Sequence, residues 1–231
     1  MPRVALQEDA VRVAAGLLGA RVVHESDDGP VAVRLTEVEA YAGLRDPGSH
    51  AFRGPTPRTR IMFGPAGFLY VYFTYGMHWC ANVVCGPDGE ASAVLLRAGE
   101  VVTGASLARA RRPASRSDAD LARGPARLAA ALGLARVHDG TDLCAPTARV
   151  WLEPADDGRL GPVNVGPRVG VAGAGGDGTV FPWRFWLAGD PTVSVYRPGI
   201  SRRRGVVAGG RLSGGEPAGA GAGRDERTAG P

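Results

Sequence analysis

In the segment TEVEAY, Glu39 and Tyr41 lie two residues apart, so on a β-strand both project from one face, and the small Ala40 between them leaves that approach uncrowded. A carboxylate beside a phenol makes a candidate active-site corner. A second stretch, YVYFTYGMHWCANVV, reads as two strands with tyrosines where strands usually carry Val or Ile. Leu69, Val71 and Phe73 supply one apolar face; Tyr70, Tyr72 and Thr74 supply the other. Tyr75-Gly76 falls where the chain can reverse, which puts Tyr75 at a tip. On the return strand His78, Cys80 and Asn82 share a face, so the hairpin can present a wall of aromatic and polar groups. Both patterns also have plainer uses. A strand glutamate often sits at a solvated edge or pairs with an arginine, and a tyrosine-rich strand often fills core and surface. Tyr75 at the tip is harder to assign to a core.

The elements that must hold these residues follow from periodicity and punctuation. LQEDAVRVAAGLL, residues 6–18, places Leu6, Ala10, Val13 and Leu17 on one helical stripe, with acids in the first turn and Gly19 at the C-cap. The Asp28-Gly29 turn signal predicts antiparallel strands over residues 21–25 and 31–41. Residues 42–60, rich in Gly, Pro and Arg, read as a long surface loop. After the hairpin comes AVLLRAG as another strand. Residues 103–135 read as helical, broken near RPASRS, and the second half starts with Pro125 at N1 and stops at Gly133. Its amino end could hold a phosphate or simply pack. VWLEP, RVGVAG and FWLAG are expected to be short strands. Residues 201–231, rich in Arg, Gly and Ala without apolar periodicity, are expected to be a disordered tail. The whole predicts a mixed α/β (α+β) chain in one domain, residues 1–200.

Composition narrows the classes. With 231 residues, 44% of them hydrophobic, the chain can bury a sizeable core. No 18-residue apolar run escapes polar interruption, and acids occupy the place of a signal peptide's apolar stretch, so a soluble, cytoplasmic protein is expected. Cys80, Cys85 and Cys144 are too few and wrongly spaced for a disulfide framework or a structural zinc site. Free, mostly buried thiols are expected. His24, His50, His78 and His138 form no metal-ligand pattern, so no metal is expected. All 27 basic residues are arginine, at a net charge of +4. Arginine offers planar, multi-donor recognition of phosphate, which suits an acidic polymer, although a GC-rich genome produces the same bias.

The run EAYAGLRDPGSHAFRGPTPRTRIMFGPAGFLYVYFTYGMHWCANVV, followed in order by AVLLRAGE, GPARLAAALG, RVGVAG and WRFWLAGDPTVS, strongly resembles the alkyladenine (3-methyladenine) DNA glycosylase family. The matches span nearly residues 10–196, and their combination is far more specific than any single motif. TPRTR stands where the family usually has TPRN, RAGEV where it has RALEP, and residues 155–180 are unusually rich in Gly and Pro. The resemblance implies a single domain around a curved antiparallel sheet, with flanking helices and a protruding β-hairpin that enters the DNA minor groove. It implies a DNA repair enzyme that flips alkylated or deaminated purines out of duplex DNA and hydrolyses the N-glycosidic bond, leaving an abasic site. By the same resemblance Tyr41, His50 and Tyr72 form an aromatic slot for the flipped base, and Asn82 crowds the 2-amino group of guanine. Glu39 is the catalytic carboxylate, Arg97 and the main-chain carbonyl of Val169 orient the attacking water, and Tyr75 intercalates. No cofactor or metal is implied. The partner is double-stranded DNA containing damaged purines, engaged by a monomer at the nucleoid. The absence of lysine predicts a monofunctional enzyme, since no side-chain amine can form a Schiff base with the sugar. Two rival readings are a nonenzymatic damaged-DNA-binding module of the same fold and a hydrolase of free nucleosides.

Overall fold

The computed structural model describes residues 1–156 and 160–200; the expected tail, 201–231, lies outside the described residues. Its longest strand organises everything else. β2 (Gly29–Tyr41) is flanked along one edge by β5 (Ala93–Thr103). Its other edge is shared between β1 (Arg21–Ser26), paired with residues 29–34, and β8 (Arg184–Leu187), paired with residues 37–39. With β3 (Leu69–Thr74), β4 (His78–Val84), β6 (Val150–Glu153) and β7 (Val163–Gly166), these form one open eight-stranded sheet in the order β3-β4-β5-β2-β1-β6, with β7 and β8 branching from β2. Every pairing is antiparallel. Met1–Ser201 is one compact unit of the expected α+β class.

One face of the sheet is the core. Val22, Val33, Leu35, Leu69, Val71, Val83, Val94 and Leu96 are buried there. α1 (Ala10–Leu17) packs on β2, and α3 (Pro125–Leu132) packs on β4 and β5. Each such aliphatic side chain contributes about 1.5–3 kcal/mol when fully buried. The predicted stripe is present, but Leu6 belongs to a preceding 3-10 turn, and Asp9 is the N-cap, accepting the N–H of Val11 at 2.9 Å. The helical stretch 103–135 divides as expected into α2 (Ala105–Arg111) and α3, which ends at Gly133 with φ +75°.

The opposite face carries polar and aromatic groups, and β2 reaches it through an irregularity the sequence reading did not foresee. Up to Leu35 the odd-numbered residues of β2 face the core; from Val38 onward the even-numbered ones do. The switch coincides with register shifts between Leu35 and Val38 opposite Ala98 and Gly99. A bulge of this kind re-aims side chains. It turns Glu37, Glu39 and Tyr41 away from the core although Val33 and Leu35 point into it. Gly99 fits here because a Cβ on it would come within 2.3 Å of the Arg34 carbonyl oxygen. RVGVAG is not a strand. Its backbone is spent elsewhere, with the Val169 N–H donated to Glu39 and the Gly170 N–H donated to the carbonyl of Arg197. The adjacent VNVG, overlooked in its Gly/Pro-rich setting, forms β7 instead.

Candidate active site

Glu39 is completely buried, yet its carboxylate lines a cavity of about 400 Å³ on the polar side of the sheet. Oε1 accepts the backbone N–H of Val169 at 2.7 Å, and Oε2 accepts the Tyr41 hydroxyl at 2.9 Å. Arg97, projecting from β5 beside it, has Nε 3.4 Å from Oε1. Burial, with Glu39 adding to it, holds the Tyr41 phenol well above its ordinary pKa, so it stays protonated and donates. The main chain of Val169 meets Glu39 through its N–H.

All eight residues singled out from the sequence line this one cavity: Glu39, Tyr41, His50, Tyr72, Tyr75, Asn82, Arg97 and Val169. Strand alternation brings Tyr72 and Asn82 to the same face as Glu39, and Asn82 Nδ2 donates to the carbonyl of Tyr70 at 3.1 Å across the hairpin. His50 arrives from the long loop. Its ring meets that of Tyr72 edge to face at 4.7 Å, and its Nδ1 lies 3.3 Å from the Tyr70 hydroxyl. Burial, helped by the charge of Arg58, lowers the His50 pKa to about 4, so the imidazole is neutral at physiological pH. Burial also raises the Tyr72 phenol and the Cys80 thiol, both of which remain protonated. The three cysteines are free as expected, with Cys80 and Cys85 buried and Cys144 half-buried. At the hairpin tip Tyr75 is 87% exposed. It is the one non-glycine among the described residues with positive φ, at 52°.

A neutral, aromatic-walled pocket with a fixed carboxylate at its floor suits a planar ring attached to a reacting centre. Comparison with known sequences supplies the family. The methylpurine-DNA glycosylase profile matches residues 4–191. A relative from Streptomyces avermitilis, named 3-methyladenine DNA glycosylase, is 57% identical over 193 residues, covering 83% of this chain and 89% of the relative. Similarly named proteins of Leifsonia xyli and Frankia casuarinae are each 54% identical, covering 84% and 80% of this chain and 92% and 88% of their own. The chain belongs to the methylpurine-DNA glycosylase family. As a DNA repair glycosylase it is a hydrolase of N-glycosidic bonds whose substrate is DNA. Among the described residues, no helix is long and apolar enough to cross a membrane.

The glycosylase also carries supporting residues that sequence reasoning missed. Arg168 is fully buried. Its guanidinium bonds both oxygens of Asp46 at 2.5 and 2.6 Å and the carbonyls of Ala40 and Gly175 at 2.9 and 2.8 Å. It also lies over the ring of Tyr41, 4.5 Å from the centroid. Asp46 in turn accepts the N–H groups of Ala42 and Gly48. One ion pair thus ties together the end of β2, the loop that delivers His50 and the loop that delivers Val169. Among 27 basic residues nothing in the sequence marked Arg168 out. Glu37 had a signal, since it shares the face of Glu39 two residues earlier.

Proposed function

We propose that this cavity receives a damaged purine flipped from duplex DNA and that Glu39 activates the water that displaces it. The carrying observation is the joint presence, in one cavity, of a buried carboxylate fixed by two donors and the rings of Tyr41, His50 and Tyr72. Extruding a base costs a few kcal/mol, least for a damaged or mispaired one. Stacking on an aromatic ring returns about 1–3 kcal/mol. Alkylation at N3 or N7 makes the purine cationic, and electron-rich ring faces attract that charge while the neutral His50 does not repel it. Water then attacks the anomeric carbon, its proton passes to Glu39, and the electrons of the breaking C–N bond leave with the base. A cationic base departs neutral and needs little help from a general acid, whereas a neutral lesion such as hypoxanthine requires protonation. Arg97 and the main chain at Val169 serve to orient the water, Asn82 to discriminate against the guanine 2-amino group, and Tyr75 to fill the vacated stack as a monomer bound at the nucleoid reads the minor groove.

The test is single-turnover base release on duplexes each carrying 3-methyladenine, 7-methylguanine, hypoxanthine or ethenoadenine, alongside the free nucleosides. Release from duplex but not from nucleoside is expected, with cationic lesions fastest. Binding of every lesion without release of any would leave only a recognition module.

A further inference from the structure

Glu37 and Glu39 stand side by side on β2, and Arg97 lies between them. Its Nε donates to Glu37 Oε1 at 2.8 Å but is 3.4 Å from Glu39 Oε1. Glu37 is fully buried, and its own acceptor capacity is well used. Oε1 also accepts Arg184 Nε at 2.6 Å and the Ser194 hydroxyl at 3.0 Å, and Oε2 accepts the Ser194 N–H at 2.7 Å. Two carboxylates and two guanidiniums therefore share one buried cluster in which the charges cancel. Burial opposes the charge on Arg97, but Glu39 and Glu37 more than offset that and hold it firmly protonated. Glu37 is fully buried and is not among the residues that line the cavity.

We propose that Glu37 is a positioning residue: by engaging Arg97 it keeps that guanidinium from closing onto Glu39, which leaves the Glu39 carboxylate open to water. Each Glu39 oxygen already accepts one strong hydrogen bond. Full pairing with Arg97 would occupy the remaining lone pairs and stabilise the charged form, so the carboxylate would become a poorer base and a less accessible one. Competition from Glu37, at the shorter distance, prevents this. The inference rests on the reading that Glu39 activates water.

The experiment is a double-mutant cycle on single-turnover base release, with duplex affinity and melting measured on every variant. Glu37→Gln keeps the shape and removes the competing charge, so release should slow on the order of tenfold while affinity for lesion duplex stays within about twofold. In an Arg97→Gln background the same substitution should change the rate by less than about twofold, an outcome that a purely structural loss would not produce. Because Glu37→Gln leaves Arg184 charged and buried, Glu37→Gln/Arg184→Gln takes its place in the cycle if the single variant does not fold. Wild-type release by the folded variant overturns the proposal, as does equal slowing whether or not Arg97 is present. Glu39→Gln separates the two layers. If it releases base normally, the reading of Glu39 fails; if it is slow while the Glu37 variants are not, only the role of Glu37 fails.

Discussion

The backbone N–H of Val169 lies 2.7 Å from Oε1 of Glu39, joining residues 130 positions apart in the chain. With the Tyr41 hydroxyl on Oε2, it fixes the carboxylate from both sides. Glu39→Gln should fold normally. The amide oxygen can face the Val169 N–H, and the Tyr41 hydroxyl can rotate to accept from the amide nitrogen. Base release should nevertheless fall by about 10²–10⁴-fold, the usual worth of a general base, while affinity for lesion duplex is kept. Parallel single-turnover and binding measurements check this, and near wild-type release would remove Glu39 from the mechanism.

Tyr75 combines high exposure with a left-handed backbone, and a non-glycine residue pays for that conformation without burying its ring. Tyr75→Gly relieves the backbone and removes no core contact. Melting should therefore be unchanged or raised, by about 1 kcal/mol of stability or less. Base release should fall most for lesions in well-paired duplex, where extrusion is costly, and least for mismatched or single-stranded lesions. A lower melting temperature with uniform loss across substrates would instead mark the ring as structural.

What the sequence made legible was what local geometry determines. Strand parity placed Tyr72, Cys80 and Asn82 on one face, the Asp28-Gly29 turn set β1 against β2, and Pro125 and Gly133 bounded α3. The same parity rule misled by omission in β2. It put Glu39 and Tyr41 together, but without the bulge near Leu35 both would have pointed into the core with Val33. Long-range partners were illegible. Arg168 meets Asp46 across 122 positions, and its neighbour Val169 meets Glu39. In RVGVAG the apolar residues suggested a strand, yet those positions form a loop because their amides serve Glu39 and Arg197 rather than a ladder.

The Arg168–Asp46 pair gives a stability prediction. Both side chains are fully buried. Arg168→Met strands a buried carboxylate and frees two loops, so it should cost about 3–5 kcal/mol. Arg168→Met/Asp46→Asn should recover part of that, since no uncompensated charge remains. Denaturant unfolding of the two variants is the measurement, and a loss below about 1 kcal/mol for the single variant would show that the pair does not hold the loops.

His50 links stability to acidity. Its folded pKa is lowered to about 4, below the ordinary 6.5 of the unfolded chain, so between these values the unfolded state binds the extra proton. Its contribution is full above pH 6.5 and is lost as pH falls through 4. By surface accessibility His50 is nevertheless exposed, so water screens the ring and the loss is smaller than the shift alone would give. His24 and His138 are shifted in the same direction, again chiefly by burial. The difference between wild type and His50→Gln isolates one ring. The variant should show a shallower dependence of stability on pH across this window, and identical slopes would place the His50 pKa near its ordinary value.

Once the base has left, the abasic strand should remain intact. A bifunctional enzyme would attack the sugar with an amine and cleave the strand through a Schiff base. The chain has no lysine, which leaves the amino terminus as the available amine, including the secondary amine of Pro2 if Met1 is removed. The fold puts that terminus in the wrong place. The Met1 ammonium donates to the carbonyl of Leu152 on β6, at the edge of the sheet opposite β3, whereas the cavity is built on β2, β3, β4 and β5. An intact abasic strand should therefore accumulate, and borohydride added to enzyme on abasic duplex should trap no covalent adduct. A trapped adduct that disappears when Pro2 is blocked would mean that the amino-terminal segment leaves β6 and reaches the sugar.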